Sequence, residues 1–327
     1  MQNQWNHKIF NVEKEGFEAL ALEIFCFQYE NNLIYKAYVD VLLPDITAID
    51  SINKIPFLPV RFFKSLKVAT TDFEPQTIFE SSGTTGSVNS KHFVKDLSLY
   101  EESFMKGFEL FYSSIKDYCI VGLLPSYLER DNSSLVYMVN KLIEQSGHTQ
   151  SGFYLDEYEK LASVLSVLEK QQQKTLLIGV TFALLDFAEQ FPMSFQYTTI
   201  LETGGMKGRR KEMIREELHQ LLCDGFGVEN IHSEYGMTEL LSQAYSLGNG
   251  VFECPSWMQI LVRDTEDALT YITNGKTGGI NVIDLANINS CSFIATQDLG
   301  KKNPNNSFEV LGRFDNSDIR GCNLMVL

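Results

Sequence analysis

No apolar run in this 327-residue chain is long enough to cross a bilayer, for which about 20 consecutive apolar residues are needed. Met1 to Phe10 lack the basic-then-apolar layout of a secretory leader, so none is expected. Positive charge is scarce. The 27 Lys and Arg stand against 42 Asp and Glu, a formal net charge of −15. Phosphate neutralisation supplies much of the affinity for nucleic acid, so this balance argues against a nucleic-acid partner and against an anionic membrane surface. Cysteine chemistry is thin as well. None of the six cysteines forms a C-x-x-C pair, and no His/Cys cluster has zinc spacing. Their mostly apolar neighbours predict buried free thiols in a reduced, cytoplasmic protein. There is no internal repeat and no low-complexity segment. What remains is an ordinary globular composition, 44% hydrophobic and 21% charged, enough for one large domain or two moderate ones.

Periodicity predicts alternating strands and helices. Residues 12–29 read as an amphipathic helix, and prolines 44, 56 and 59 make 44–64 irregular or extended. Thr77–Glu80 reads as a short strand. Asp96 is placed to cap a helix carrying Leu99, Phe104 and Phe108. The apolar run 118–124 suits a buried parallel strand. Asp131 is expected to cap the next helix, and Asp156 with Glu159 resembles a capping box. Strands at 176–179 and 198–201 flank a helix at 182–191, and a further helix carries Met213, Ile214, Leu218 and Leu221. The alternation predicts an α/β core over residues 1–250. Beyond it, glycine- and asparagine-broken stretches predict a small β-rich subdomain with a tail, 251–327.

Chemistry concentrates in three glycine-bearing turns after predicted strands, where open α/β sheets bind ligands. The first is Ser81-Ser82-Gly83-Thr84-Thr85-Gly86-Ser87, followed by Lys91. Its glycines let backbone N–H groups approach an anion, and Lys91 adds a mobile charge, which suggests triphosphate binding. It is not a Walker A loop, because Ser87 and not lysine follows the second glycine. Read alone, it is equally a polar turn. His92 is the one histidine expected to approach phosphate. The second turn holds Gly204 and Gly205. The third is Tyr235-Gly236-Met237-Thr238-Glu239. Tyr235 offers a flat face to a purine and Thr238 a hydroxyl. Glu239 is a hard oxygen ligand suited to Mg²⁺ beside a triphosphate, or else a carboxylate in the first turn of a helix. Asp298 could accept from ribose hydroxyls or serve as a turn residue.

The order of these pieces resembles the adenylate-forming superfamily of acyl- and aryl-CoA synthetases, luciferases and peptide-synthetase adenylation domains. Ser-Ser-Gly-Thr-Thr-Gly, Tyr-Gly-x-Thr-Glu, and Asp298 ahead of Gly312-Arg313-Phe314-Asp315 span residues 80 to 321 in the expected sequence. The short gap between the first two resembles the phenylacetate–CoA ligase branch. Thr203-Gly204-Gly205-Met206-Lys207 and Arg320-Gly321-Cys322 look like the acyl-protein synthetases of bacterial luminescence in particular.

That resemblance implies the large N-terminal domain of the superfamily: parallel sheets flanked by helices, plus a small β-rich subdomain. It implies ATP and Mg²⁺, with Ser82, Gly83, Thr84, Thr85, Gly86, Ser87 and Lys91 on the β- and γ-phosphates. Gly204 and Gly205 would border the adenine under Tyr235 and Gly236. Thr238 would meet the α-phosphate, Glu239 the metal, and Asp298 the ribose with Arg313 nearby. Cys322 matches by position the cysteine that carries the acyl group, and Arg320 beside it favours a thiolate; an inert tail cysteine is the competing reading. The superfamily's C-terminal lysine-bearing domain is expected to be absent, since the chain ends 14 residues after Arg313. The implied activity is ATP-dependent formation of an acyl-adenylate from a carboxylic acid of the fatty type and transfer to a protein thiol. A CoA or carrier-protein ligase for an aromatic or fatty acid, and a non-catalytic nucleotide- or acyl-binding subunit, stand as alternatives. Tyr127, Phe153 and Phe182 are candidate walls for the acid.

Overall fold

The computed structural model describes residues 2–81, 88–124, 132–155, 157–204 and 213–314. Three helices open the chain: α1 (Gln2–Phe10), α2 (Phe17–Asn31) and α3 (Leu33–Leu42). α2 starts at Phe17 and not at residue 12, because a short 3-10 turn, Lys14–Gly16, occupies its lead-in. Asn32 ends α2 and caps α3, its side chain accepting from Tyr35 N–H at 2.9 Å. β1 (Leu58–Pro59) and α4 (Phe62–Ser65) follow.

Residues 73–255 form one compact unit. It begins with a hairpin of β2 (Thr77–Glu80) and β3 (Lys91–Val94), in which Glu80 faces Lys91 and Phe79 faces His92. α5 (Leu97–Tyr112) is capped by Asp96, which accepts from Ser98 N–H at 2.9 Å. Then come β4 (Cys119–Leu123), α6 (Ser134–Ser146), β5 (Gly152–Phe153), α7 (Tyr158–Lys170), β6 (Thr175–Val180), α8 (Thr181–Gln190), β7 (Thr198–Thr203), α9 (Arg215–Phe226), β8 (His232–Tyr235), β9 (Ala244–Ser246) and β10 (Val251–Phe252). The sheet order is β5-β4-β6-β7-β8-β9. The first five strands are parallel and β9 closes the edge antiparallel to β8. Every residue of β4 and β6 is buried, as the continuous apolar runs require of strands covered on both faces.

Several local readings shift. Ser133, accepting from Val136 N–H, caps α6; Asp131 lies outside the described residues. Asp156 does too, and α7 starts after Glu157 with no side-chain cap. α9 starts at Arg215, so Met213 and Ile214 precede it, and Leu221 is exposed while Leu218, Leu222 and Phe226 face inward. Of the cysteines, Cys119 and Cys291 are buried, Cys223 and Cys254 partly so, and Cys26 is exposed. Phe182 is buried, and Phe153 fills the space above Gly122, where a Cβ would sit 2.7 Å from its ring. Both serve packing. Tyr127 lies outside the described residues.

The other unit joins residues 1–72 to the chain from 256 onward. Its strands β11 (Met258–Arg263), β12 (Gly278–Asp284), β13 (Phe293–Lys302) and β14 (Phe308–Arg313) pair antiparallel in succession, and β1 lies parallel to β13. This sheet is therefore mixed, with β11–β14 antiparallel in the stretch expected as a β-rich subdomain and β1 added parallel from the N-terminal segment; no helical crossover lies between its successive strands. The unit also departs from the expected boundary. The chain does change partner near residue 255, but the first 72 residues belong with the C-terminal strands. Hydrogen bonds explain why. Gln28 of α2 donates to Asn287 and Ile288 carbonyls at 3.1 and 3.0 Å and accepts from Ser292 N–H at 2.9 Å, and Asn32 donates to Ser290 O at 2.8 Å. No helix among the described residues is long and apolar enough to cross a membrane.

Gln28→Leu would leave the Ser292 amide and two carbonyls buried without this partner. We expect unfolding free energy to fall by about 2 kcal/mol or more, read as a lower urea midpoint at unchanged slope. An unaltered midpoint would overturn the account of how the first 72 residues are held.

Candidate functional site

The hairpin β2–β3 carries its two ends side by side. At its loop end, Ser81 Oγ accepts from Ser90 N–H at 2.9 Å and Ser81 N–H donates to Ser90 O at 3.0 Å. The residues between them that the sequence marks for phosphate, Ser82, Gly83, Thr84, Thr85, Gly86 and Ser87, lie outside the described residues. Alternation along β3 sends Lys91 outward, 3.6 Å from Glu80, and His92 inward.

His92 is fully buried, and its Nδ1 lies 2.8 Å from the carbonyl oxygen of Thr238. A carbonyl only accepts, so Nδ1 carries the proton. Through Nδ1, His92 thus ties the hairpin to the Tyr235–Glu239 turn, while the loop whose phosphate it is expected to approach lies outside the described residues. Within that turn Glu239 is buried, and it lies in no helix, which removes the helix-first-turn reading. Tyr235 is 8% exposed, its ring edge-on to Phe252 at 6.1 Å, a less open face than a purine platform suggests.

β7 delivers the second turn. Gly204 ends it at φ +78°, in the left-handed region that glycine enters without penalty. Gly205 lies outside the described residues. The Thr181 hydroxyl, first in α8, is shared between Glu202 Oε1 at 2.6 Å and Gly204 O at 3.0 Å. Arg215, first in α9, brings Nη1 to 3.6 Å from Glu202 Oε2 and 3.2 Å from Ser233 Oγ. Burial raises the Glu202 carboxyl above its ordinary range, against the pull of Arg215. His219 is pushed down to about 4 by burial and then by Arg215. On the opposite face of the sheet the Thr203 hydroxyl donates to Glu234.

The sequence reading missed Glu202, Glu234 and Arg215. A signal was there: β7 ends Glu202-Thr203 and β8 ends Glu234-Tyr235, each followed by glycine, the same Glu-x-Gly at two adjacent strand ends.

In the other unit, Arg313 Nε donates to Asp298 Oδ1 at 3.0 Å, across neighbouring strands. Asp298 is buried and Arg313 exposed. These two are brought together as the sequence suggests, while Cys322 lies outside the described residues. Among the described residues no group of three or more His, Cys, Asp or Glu could hold a metal by itself.

A family model described as acyl-protein synthetase, LuxE, matches residues 9–327. The chain belongs to this acyl-protein synthetase family. It is on that ground an AMP-forming ligase. A long-chain-fatty-acid–luciferin-component ligase of Vibrio harveyi is 23% identical to it, covering 98% of this chain and 89% of that one. Among solved structures, an open conformation of 2-hydroxyisobutyryl-CoA ligase in complex with 2-HIB-AMP and CoA matches with TM-score 0.64 at 10% identity, covering 93% of this chain and 75% of that one. ATP-bound MatB from Rhodopseudomonas palustris matches with TM-score 0.54 at 17% identity over 72% of this chain, and the synthetase spans about half (47%) of its length. Both likenesses speak for the adenylate-forming α/β fold.

Removing the cation beside a buried carboxylate is costly. Arg215→Met is expected to lower unfolding free energy by about 3 kcal/mol, at the low end for a buried pair because Arg215 is partly exposed. Adding Glu202→Gln should recover much of that loss. Equal urea midpoints for the single and double variants would show that Glu202 is not what Arg215 compensates.

Proposed function

We propose that this protein activates a carboxylic acid of the fatty type as its acyl-adenylate, using ATP, and passes the acyl group to a protein thiol. The observation that carries the reading is the His92–Thr238 bond, which fastens the base of the glycine-rich hairpin to the Tyr-Gly-Met-Thr-Glu turn. Lys91 at the foot of that hairpin and the Thr238–Glu239 end of the turn are distant in sequence, and this bond supports their acting on one triphosphate. The printed name of the Vibrio harveyi relative supports a fatty acid, and the titles of the ATP-bound and acyl-AMP-bound structures support the nucleotide chemistry.

A substrate carboxylate oxygen attacks the α-phosphorus of ATP and pyrophosphate leaves. A thiolate then attacks the acyl carbonyl and AMP leaves. Residues 82–87 and Lys91 would cradle the β- and γ-phosphates, Thr238 the α-phosphate, and Gly204, Gly205, Tyr235 and Gly236 the adenine. Asp298, oriented by Arg313, would accept from the ribose hydroxyls. Mg²⁺ supplies charge neutralisation on the triphosphate. One buried carboxylate, Glu239, fits it, because Mg²⁺ typically takes one or two carboxylates and completes its shell with phosphate and water. Cys322 would receive the acyl group. Positioning and neutralisation do most of the work, so the protein needs no strong base for the first step. The acidic charge balance and free cysteines support a cytoplasmic protein that binds neither nucleic acid nor membrane.

Intact mass after incubation with Mg-ATP and a panel of fatty and aromatic acids tests this, run beside Cys322→Ser. A one-acyl mass gain absent from the variant is expected. Pyrophosphate release only with added CoA or carrier protein would replace it with a CoA or carrier-protein ligase; no adduct and no pyrophosphate would favour a binding subunit. Lys91→Ala should slow pyrophosphate release about 10²-fold, the usual loss for one donor aimed at developing charge.

A further inference from the structure

Two carboxylates stand at adjacent strand ends but are treated differently. Thr203 lies opposite Glu234 in the β7–β8 register and Glu202 opposite Ser233, so the two glutamates face opposite sides of the sheet. Glu202 has Arg215 beside it. Glu234 has the Thr203 hydroxyl, which donates to its Oε2 at 2.5 Å. The titratable groups around Glu234 are Tyr100 and Tyr112 of α5, Tyr245 of β9, His232 two residues back on its own strand, and Glu202 across the sheet. Burial pushes all three phenols up and His232 down, so none of these groups carries positive charge at neutral pH. His232 Nδ1 is engaged with the Tyr112 hydroxyl at 3.1 Å.

The other carboxyl oxygen of Glu234 occupies the space that Gly236 leaves open. A Cβ on Gly236 would sit 2.3 Å from Oε1. The carboxyl is thus clasped between the last residue of β7 and the first residues of the turn whose Thr238 carbonyl meets His92.

We propose that Glu234 is a positioning residue for the Tyr235–Glu239 turn: its carboxyl, seated against Gly236 and tethered to Thr203, fixes how the turn leaves β8. The functional consequence rests on the adenylation reading of that turn. Burial pushes the carboxyl up to about 7; Thr203 opposes the rise and Glu202 adds to it. Neutral, Glu234 adds no charge beside a turn that receives a triphosphate. Ionised, it repels the triphosphate and strains against Glu202. Mg-ATP binding therefore weakens as pH climbs through 7. Stability follows the same sign. An unfolded glutamate titrates near about 4.3, so the folded state holds the extra proton from there up to about 7, and the fold loses stability as pH rises across that window.

The test uses the whole protein in ATP–pyrophosphate exchange with the acid panel from about pH 6 to 8.5, alongside thermal melts without ligand from about pH 4.5 to 8. For wild type, KM for Mg-ATP is expected to rise several-fold over the alkaline half while kcat changes less. Glu234→Gln keeps an acceptor for Thr203 without the charge, and should flatten that rise. Thr203→Val removes the donor favouring the ionised form, and should move the rise to higher pH. In the melts, the advantage of Glu234→Gln over wild type should widen with pH up to about 7.5. Gly236→Ala should harm exchange less in a Glu234→Ala background than alone. If wild type exchanges but Glu234→Gln keeps its pH dependence, the positioning proposal falls and adenylation stands. If wild type never exchanges, adenylation falls, and parallel melting curves against pH would overturn the proposal as well.

Discussion

A buried imidazole ties the β2–β3 hairpin of the 73–255 unit to the turn that follows β8. His92 sits out of water with its Nδ1–H on the Thr238 carbonyl, where a hydrogen bond is strong and an unmet one costly. The period of two along β3 makes the arrangement economical. The residue that points inward ties the hairpin to the turn, and its neighbour Lys91 points outward as a mobile charge. One register, Phe79 opposite His92 and Glu80 opposite Lys91, sets both.

The same logic governs the carboxyl edge of the parallel sheet. β7 and β8 each end in Glu-x followed by glycine, yet a single step of register sends their glutamates to different faces. One meets the first residue of α9 and becomes part of an ion pair with Ser233 and Thr181 as further partners. The other meets phenols and a threonine hydroxyl. Two glutamates in the same Glu-x-Gly setting thus acquire different partners, because helix placement and not strand sequence decides what each carboxylate faces.

Much of this fold was legible in the residues. The buried run of β4, the Asp96 cap and the strand–helix alternation are local signals, carried by neighbours within a few positions. What escaped was long-range or ambiguous. The first 72 residues are assigned by Gln28 and Asn32, whose partners lie some 260 residues further on and leave no periodic trace. The cap of α6 had several candidates in a row, Asp131, Asn132 and Ser133, all good capping residues, and spacing could not choose among them. Cys26 has apolar neighbours on both sides but is exposed, since helical period and not adjacency sets which face a residue occupies. At the site, the motif residues were visible, but the inward turn of His92 depended on strand parity that the motif itself does not encode.

The sewing of the N-terminal helices to the β12–β13 connection has a consequence for synthesis. Residues 73–255 are contiguous, so the whole of that unit has been made once residue 255 has left the ribosome. The first 72 residues emerge earlier but must wait, with Phe25, Tyr35 and Val39 uncovered, until Phe293 and its strand arrive. Residues 1–72 are thus made before the 73–255 unit but buried after it, and it is there that a chaperone would find long-lived apolar surface.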